Sequence, residues 1–250
     1  MKVEFLGVGE AFDENLPNNS QILDWGDCRL LIDCGYSVPQ AFWKHHPDPE
    51  HLDAIYISHR HADHYFGLPS ILVRLAEDGR RKPLTIFCAE GMKQTLLEMI
   101  DYAYLGVLSK IKFEIVFQEV RTDHPHEFRG SRWEFAVSSH PVKNFAIAVY
   151  ADGRKYAYSG DGNFNEHTRR LYDSCSLLVH EAYSFDDPEA PGHARIAEVV
   201  EMAVQQKVKR VALTHIQRKV RRTKLGEIKE FIKNFKIDVI IPEPGDVLDI

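Results

Sequence analysis

The chain contains 250 residues, of which 44% are hydrophobic and 27% are charged. This composition is typical of a globular protein and excludes disordered and collagen-like chains. The net charge of −6 argues against a generally basic nucleic-acid-binding surface, while leaving room for a local basic patch. No apolar run approaches the roughly 20 residues of a membrane helix, and the opening MKVEFLGVGE lacks the pattern of a secretory signal. We therefore expect a cytoplasmic protein without a membrane partner.

The cysteines give no sign of a disulfide-bonded fold, and the connecting segments give no sign of a division into several domains. Four scattered cysteines are too few for a disulfide framework in a chain of this length, and none forms a Cys-x-x-Cys pair suited to a thiolate zinc site. No repeat, low-complexity tract or flexible linker interrupts the sequence. We predict one domain over residues 1–250.

Apolar periodicity and turn residues predict an alternation of strands and helices in both halves of the chain. The first half has predicted strands at 2–8, 20–25, 29–33, 53–58 and 84–88 and helices at 38–44, 67–77 and 91–104. The second half has predicted strands at 113–120, 133–139, 145–150, 155–159, 177–180, 210–214 and 237–241 and helices at 193–206 and 224–234. This order favours an α/β fold in which helices pack outside two sheets.

Histidines concentrate directly after the predicted buried strand at residues 53–58. The segment reads SHRHADH, so that His59, His61, Asp63 and His64 fall within six residues. Neutral imidazole and carboxylate are ligands that suit Zn²⁺, and to a lesser degree Mn²⁺ or Fe²⁺. A turn at a strand end aims alternate residues at one point. We therefore expect the two earlier histidines to bind one metal while the other two residues reach a second.

Four ligands on one turn cannot enclose two metals, so further ligands are expected at other strand ends. The chain offers His140, Asp161 and His215, each directly after a predicted strand of the second half. Two glycines flank Asp161 and would let the backbone come close to a ligand. The shared position of these residues makes all three candidate metal ligands.

With these motifs the chain resembles the metallo-β-lactamase fold superfamily, and more closely its ribonuclease Z-like branch. The resemblance spans nearly the whole chain, through LGVGE, NNS, LIDCG, SHRHADH, SSH, SGD, LVHEA and LTH. It implies a four-layer αβ/βα sandwich of two packed mixed sheets with helices outside. It also implies two divalent ions at one edge of the sheets, with zinc expected and manganese or iron as alternatives.

The resemblance further implies how the seven candidate ligands divide between the ions. The first ion would be held by His59, His61 and His140, the second by Asp63, His64 and His215, and Asp161 would bridge them. Two such ions generate hydroxide from a bridging water and neutralise charge on a phosphoryl oxygen. Asp63 would orient that hydroxide or accept its proton while it binds metal.

Two further motifs resemble parts of the ribonuclease Z site. LVHEA at residues 178–182 is similar to that family's His-Glu-Ala-Thr signature, with Tyr183 in place of the threonine. PGHA at residues 191–194 is similar to the stretch where the family carries a histidine that protonates the leaving oxygen. This implies that His193 is a general acid and that Glu181 orients it or a metal ligand. His180 is expected to pack beneath the site.

The predicted reaction is hydrolysis of a small or cyclic phosphodiester. Ribonuclease Z enzymes carry a protruding arm for tRNA, often between the third histidine and the bridging aspartate. Here only residues 141–160 separate His140 from Asp161, and two predicted strands occupy most of them. The missing arm and the acidic net charge disfavour a folded RNA partner, so tRNA 3′ processing is the first alternative. A lactonase or thioesterase using the same metals is the second. Histidine at position 61, where a diiron oxidoreductase of this superfamily has glutamate, argues against redox chemistry.

The remaining histidines and one basic run carry weaker signals. Loops or a charged helix, without metal binding, are expected for His45, His46, His51, His124, His126 and His167. The basic run at residues 218–222 (RKVRR) follows His215 and is a candidate for attracting a phosphate-bearing substrate. Related enzymes are often dimers, so a homodimer is a further expectation, with no interface that the sequence identifies.

Overall fold

The computed structural model describes residues 1–187 and 192–250. In these ranges the strands are β1 (Lys2–Gly7), β2 (Ser20–Trp25), β3 (Cys28–Ile32), β4 (Ala54–Ile57), β5 (Leu84–Ala89), β6 (Ile115–Val120), β7 (His126–Phe128), β8 (Ser131–Val137), β9 (Phe145–Ala151), β10 (Arg154–Tyr158), β11 (Leu177–Glu181), β12 (Arg210–Thr214), β13 (Asp238–Ile240) and β14 (Val247–Asp249). The helices are α1 (Val38–His45), α2 (Ala62–Tyr65), α3 (Leu68–Glu77), α4 (Lys93–Ala103), α5 (Glu166–Tyr172), α6 (Ile196–Gln205) and α7 (Arg218–Ile232), with a 3₁₀ turn at Val107–Ser109.

The described strands form two mixed sheets with the same internal pattern. The first has the order β14-β1-β2-β3-β4-β5-β6 and the second β13-β12-β11-β10-β9-β8-β7. In the first sheet β3 to β6 run parallel, and in the second β10 to β13 do, while the other neighbours are antiparallel. It follows that β1, β3 and β4 end at one edge of the first sheet, and that β8, β10, β11 and β12 end at one edge of the second.

Alternate residues of the central strands belong to two different cores. On β9, Phe145, Ile147 and Val149 lie in the core that includes both sheets, while Ala146 and Ala148 lie in the core shared with α5, α6 and α7. This is the period of two that a strand buried on both faces requires. Helices α1 and α4 contact the first sheet, and α5 and α6 contact the second. The predicted architecture of two packed mixed sheets with helices outside is confirmed.

Several predicted boundaries are wrong, and each for a local reason. Helix α6 begins at Ile196, so His193 lies in the connection before it and not at a helix start. Helix α7 begins at Arg218 and not at residue 224, because the Gln217 side chain caps it by accepting a hydrogen bond from the Val220 N–H. Strand β8 ends at Val137, two residues before the predicted end.

Two histidines lie in regular elements and not in the predicted loops. His45 is the last residue of α1, and His126 begins the short strand β7. The four cysteines are buried and unpaired, as expected. Among the described residues, no helix combines the length and the apolar character needed to cross a membrane.

Candidate metal centre

The seven predicted ligands converge where the two sheet edges meet. They form two groups, and within each group the ligand atoms all lie within 4.8 Å of one another. The first group contains His59, His61, His140 and Asp161, and the second contains Asp63, His64, Asp161 and His215. Asp161 belongs to both groups, which is the place of a bridging ligand.

Strand ends and one short helix deliver these side chains to the same point. His59 and His61 follow β4, and the single turn α2 then carries Asp63 and His64. His215 follows β12 directly, with a left-handed backbone φ of 54°. Its N–H donates to the Val8 carbonyl of the first sheet at 2.9 Å. This hydrogen bond joins the two sheets at the site.

The distances between ligand atoms fit metal coordination. His61 Nδ1 lies 3.1 Å from both His59 Nε2 and His140 Nε2. In the second group, Asp63 Oδ2 lies 3.2 Å from His64 Nε2 and 3.3 Å from His215 Nε2. Two nitrogens bound to one tetrahedral zinc ion lie about 3.4 Å apart.

Unsatisfied atoms at the same place support this fit. His64 Nε2 and Asp161 Oδ1 are buried and make no well-formed hydrogen bond within the described chain. They face each other at 3.3 Å. A buried polar atom without a partner is costly, and a divalent cation would satisfy both. The donor set and these atoms therefore fit divalent metal ions.

The electrostatics keep both acidic ligands ionised. Burial would raise the pKa of Asp63, but the charge of His64 and hydrogen bonds from His215 and His64 lower it well below the usual range. The pKa of Asp161 is likewise low, because His215 and His64 outweigh the effect of burial. Burial also lowers the pKa of His59 well below its usual value. Ionised carboxylates and neutral imidazole are the forms that bind metal. Against the effect of burial, the two carboxylates raise the pKa of His64 above its usual value and that of His215 to about 9, so metal binding at these two imidazoles would release protons.

Asp33, a buried carboxylate to which the sequence analysis assigned no role, binds His64 on the side away from the other ligands. Asp33 Oδ2 accepts hydrogen bonds from His64 Nδ1 at 2.7 Å and from the Tyr158 hydroxyl at 2.8 Å. The Ser58 hydroxyl donates to the same oxygen at 2.7 Å, and the Ser58 N–H donates to Oδ1 at 2.7 Å. A carboxylate on the far nitrogen of a ligating histidine fixes its tautomer and orientation. The sequence offered one signal that could have identified Asp33: it directly follows β3, whose end lies at the same sheet edge as the end of β4.

Glu181 and His193, the predicted pair, lie beside the second group. Glu181 Oε1 accepts hydrogen bonds from His193 Nδ1 at 3.0 Å and from the N–H groups of Gly162 and Ala194 at 2.9 and 3.2 Å. Burial would lower the pKa of His193, but the hydrogen bond to Glu181 and its charge outweigh burial and raise it. Because Nδ1 is engaged, Nε2 is the nitrogen left for a substrate. Pro191, the first residue of the PGHA stretch, lies outside the described residues.

His180 lies outside all three groups of close ligand atoms, of which the third contains Glu181, His193 and His215. It is fully buried, its Nδ1–H donates to the Glu181 carbonyl at 2.6 Å, and its ring packs against Phe164 and Tyr172. This matches the expectation that it packs beneath the site.

The arginines of the basic run are paired with acidic residues. The pairs are Arg218 with Glu10 at 2.6 Å, Arg221 with Glu243 at 2.9 Å and Arg222 with Glu14 at 3.2 Å. Lys219 has no acidic partner in the described part of the chain. It lines a pocket of about 700 Å³ beside His193. Of the basic residues in this run, Lys219 therefore remains the candidate for attracting a phosphate-bearing substrate.

Comparisons with known proteins agree with this geometry. A family model described as anti-Pycsar protein Apyc1 matches residues 1–237. The anti-Pycsar protein Apyc1 of Paenibacillus harenae is 28% identical over 213 aligned residues, which cover 83% of this chain and 87% of that protein. A ribonuclease Z of Halorubrum lacusprofundi is 25% identical over 303, covering 100% and 97%. The solved metallo-β-lactamase fold protein YhfI from Bacillus subtilis superposes with a TM-score of 0.84 at 22% identity, over 99% of this chain and 98% of that one.

Proposed function

This chain belongs to the anti-Pycsar protein Apyc1 family, and on that basis we propose that it hydrolyses a cyclic nucleotide or another small phosphodiester. It is a metal-dependent hydrolase with the metallo-β-lactamase fold. One observation carries the proposal. Two groups of candidate metal ligands share Asp161 and lie next to His193, whose pKa is raised by the buried Glu181. That combination suits a reaction in which a charged phosphoryl group loses an alkoxide.

The proposed cofactors are two divalent ions, zinc with manganese or iron as alternatives. His59, His61, His140 and Asp161 would hold one, and Asp63, His64, His215 and Asp161 the other. Bound there, such ions supply a nucleophile at neutral pH and neutralise charge on the phosphoryl oxygens.

The chain's own residues supply the proton transfers. Asp63, ionised and in contact with His64 and His215, orients the attacking water or accepts its proton. His193 donates the proton on Nε2 to the leaving oxygen, while Glu181 holds the opposite nitrogen. General acid catalysis of this kind contributes about 10²–10⁴-fold to the rate.

Size favours a small substrate over a folded RNA. The pocket beside His193 measures about 700 Å³, within the range of about 300–1,000 Å³ usual for small-molecule sites. Between His140 and Asp161 the chain forms β9 and β10 joined by a two-residue turn. No arm emerges between these two ligands.

The function is tested with metal-free protein reloaded with Zn²⁺ or Mn²⁺. We expect metal-dependent hydrolysis of a 3′,5′-cyclic nucleotide and of bis(p-nitrophenyl) phosphate. In a His193→Ala variant, turnover of the cyclic nucleotide should fall by about 10²-fold or more. Hydrolysis of the nitrophenyl ester should persist, because nitrophenolate leaves without a proton. His124→Ala, an exposed histidine paired with Asp123, is the matched control and should behave as the unaltered protein.

Parallel assays separate the alternatives. Precursor tRNA, a lactone and a thioester are offered to the same metal-loaded protein. Cleavage of precursor tRNA in preference to the cyclic nucleotide would favour the ribonuclease Z alternative. Metal-loaded protein that cleaves neither phosphodiester but opens the lactone or the thioester would overturn the proposal.

A further inference from the structure

Tyr183 stands where the ribonuclease Z signature has threonine, and its backbone is fixed on both sides. Its N–H donates to Glu181 Oε2 at 3.1 Å, and its carbonyl accepts a hydrogen bond from the Gln217 N–H at 3.0 Å. These contacts tie the second residue after β11 to the end of that strand and to the residue that caps α7. The place of the Tyr183 ring is therefore set by the backbone and not by a mobile loop.

The ring of Tyr183 stacks on His193. The ring centroids are 4.4 Å apart with an angle of 20° between the planes. The His193 ring also lies nearly parallel to that of His215, at 5.7 Å and 20°, and edge-on to His140 at 5.4 Å. Tyr183 also lies against His215, with ring centroids 6.1 Å apart, so the rings of Tyr183, His193 and His215 form one mutually packed group.

A single hydrogen bond donated to Glu181 does not fix the orientation of an imidazole. The ring can still swing about the line from Nδ1 to the carboxylate oxygen, which moves Nε2 sideways. A flat ring packed against one face removes that freedom. A misplacement of about 1 Å at a reacting atom can cost on the order of 10²-fold in rate.

Tyr183 also faces the cavity beside His193. With His193 and Lys219 it lines the cavity of about 700 Å³, and its hydroxyl makes no hydrogen bond within the described residues. The ring makes the contacts that the structure describes for this side chain, with His193 and His215.

We propose that Tyr183 is a positioning residue for His193: its stacked ring holds Nε2 in line with the leaving oxygen. This inference rests on the proposed function, in which His193 is the acid. It concerns the aromatic ring and not the hydroxyl.

Tyr183→Thr removes the ring and installs the residue of the ribonuclease Z signature, and Tyr183→Phe is the matched control that keeps the ring. At saturating substrate, we expect Tyr183→Thr to lower kcat for the cyclic nucleotide by about tenfold or more, part of the general-acid contribution. The kcat for bis(p-nitrophenyl) phosphate should stay within about twofold, since no proton is needed there. Tyr183→Phe should match the unaltered protein on both substrates.

A double variant tests whether the effect passes through His193. When His193 is already alanine, adding Tyr183→Thr should cause no further loss of kcat for the cyclic nucleotide, because residues acting as one unit are not additive. Metal content and thermal melting are measured for each variant, so that a folding defect is seen separately.

Three results would overturn the inference: equal losses on both substrates, a Phe variant as slow as the Thr variant, or additive losses in the double variant. Failure of the proposed function has a different signature. In that case the unaltered protein, or His193→Ala alone, would already lack the expected behaviour.

Discussion

Asp33 holds a candidate metal ligand, because its carboxylate accepts a hydrogen bond from His64 Nδ1. Its carboxylate is fully buried and is surrounded by donors from Ser58, His64 and Tyr158. With Nδ1 of His64 donating to Asp33, Nε2 is the nitrogen that faces Asp63 and Asp161 in the candidate metal site. The same contact pulls the ring into one orientation, so a buried ion pair acts here as a ligand holder.

Replacing Asp33 by asparagine should weaken metal binding. The amide nitrogen would face donors where the carboxylate accepts, and His64 would lose its anionic partner. We expect metal affinity to fall by about 10–100-fold, measured by competition with a chromogenic chelator. Tyr158→Phe, which removes one donor to Asp33 and keeps its contact with His64, should have a smaller effect. Unchanged affinity in Asp33→Asn would contradict this role.

At the scale of elements, the connection after β3 lies against the metal-binding turn, backbone to backbone. The Cys34 N–H donates to the His64 carbonyl at 2.7 Å, and the Gly67 N–H donates to the Cys34 carbonyl at 2.8 Å. A Cβ on Gly35 would lie 2.0 Å from the Asp63 carbonyl oxygen. Only glycine allows this approach, so residues 34 and 35 shape the turn that carries Asp63 and His64.

Gly35→Ala should therefore displace the metal-binding turn. We expect loss of metal affinity and of hydrolysis together with a lower melting temperature. Gly226→Ala is the matched control, because a Cβ there meets nothing within 4 Å in helix α7. That control should retain activity and gain about 0.5–1 kcal/mol of stability, as alanine is the better helix former. Unchanged metal affinity in Gly35→Ala would contradict this prediction, because it would show that the turn accommodates the added methyl group.

Helix α1 is joined to β1 by a group of titrating side chains. His46 Nε2 lies 3.1 Å from both oxygens of Glu4, and the His51 ring stacks on His46 at 4.1 Å. Burial, and then repulsion from His46, lower the pKa of His51 from 6.5 to about 4. In the unfolded chain His51 binds a proton at higher pH than in the folded chain.

This arrangement predicts a stability loss in weak acid. The contribution of neutral His51 is complete above pH 6.5, decreases as the pH falls to about 4 and changes no further below that. The free energy of unfolding in urea is measured at several pH values for the unaltered protein and for His51→Gln. The difference between the two should shrink or reverse across this window, and a difference independent of pH would contradict the assignment.

For the whole molecule, the metal centre is the place where the two sheets are tied together. His59, His64, Asp161 and His215 are each at most 2% exposed, and they come from both sheets. Without ions, their polar atoms share a small buried space and are only partly satisfied. We therefore expect bound metal to stabilise the packing of one sheet on the other.

Removal of metal should lower the melting temperature, and reloading should restore it. Free metal at 100 times its dissociation constant adds about 2.7 kcal/mol per site. Calorimetry with and without chelator measures the change, and metal analysis verifies loading. Asp161→Ala, which removes the residue common to both groups, should make melting nearly insensitive to chelator. An equal melting temperature for loaded and stripped protein would contradict a stabilising centre.

The sequence alone determined the residues whose role is set by their type and local position. The SHRHADH turn places four candidate ligands within six residues, and parallel strands bring the residues after their ends to one edge. His140, Asp161 and His215 could therefore be assigned to one site before any contact was known.

Only the tertiary structure decided the features that depend on contacts between distant residues. The role of Asp33 arises from its contact with His64, 31 residues later. The pairing of the α7 arginines depends on glutamates that include Glu10 and Glu14, about 200 residues away. The stack of Tyr183 on His193 depends on how β11 meets the connection before α6. Residue type predicts which groups can bind a metal, whereas packing determines which neighbour holds each of them.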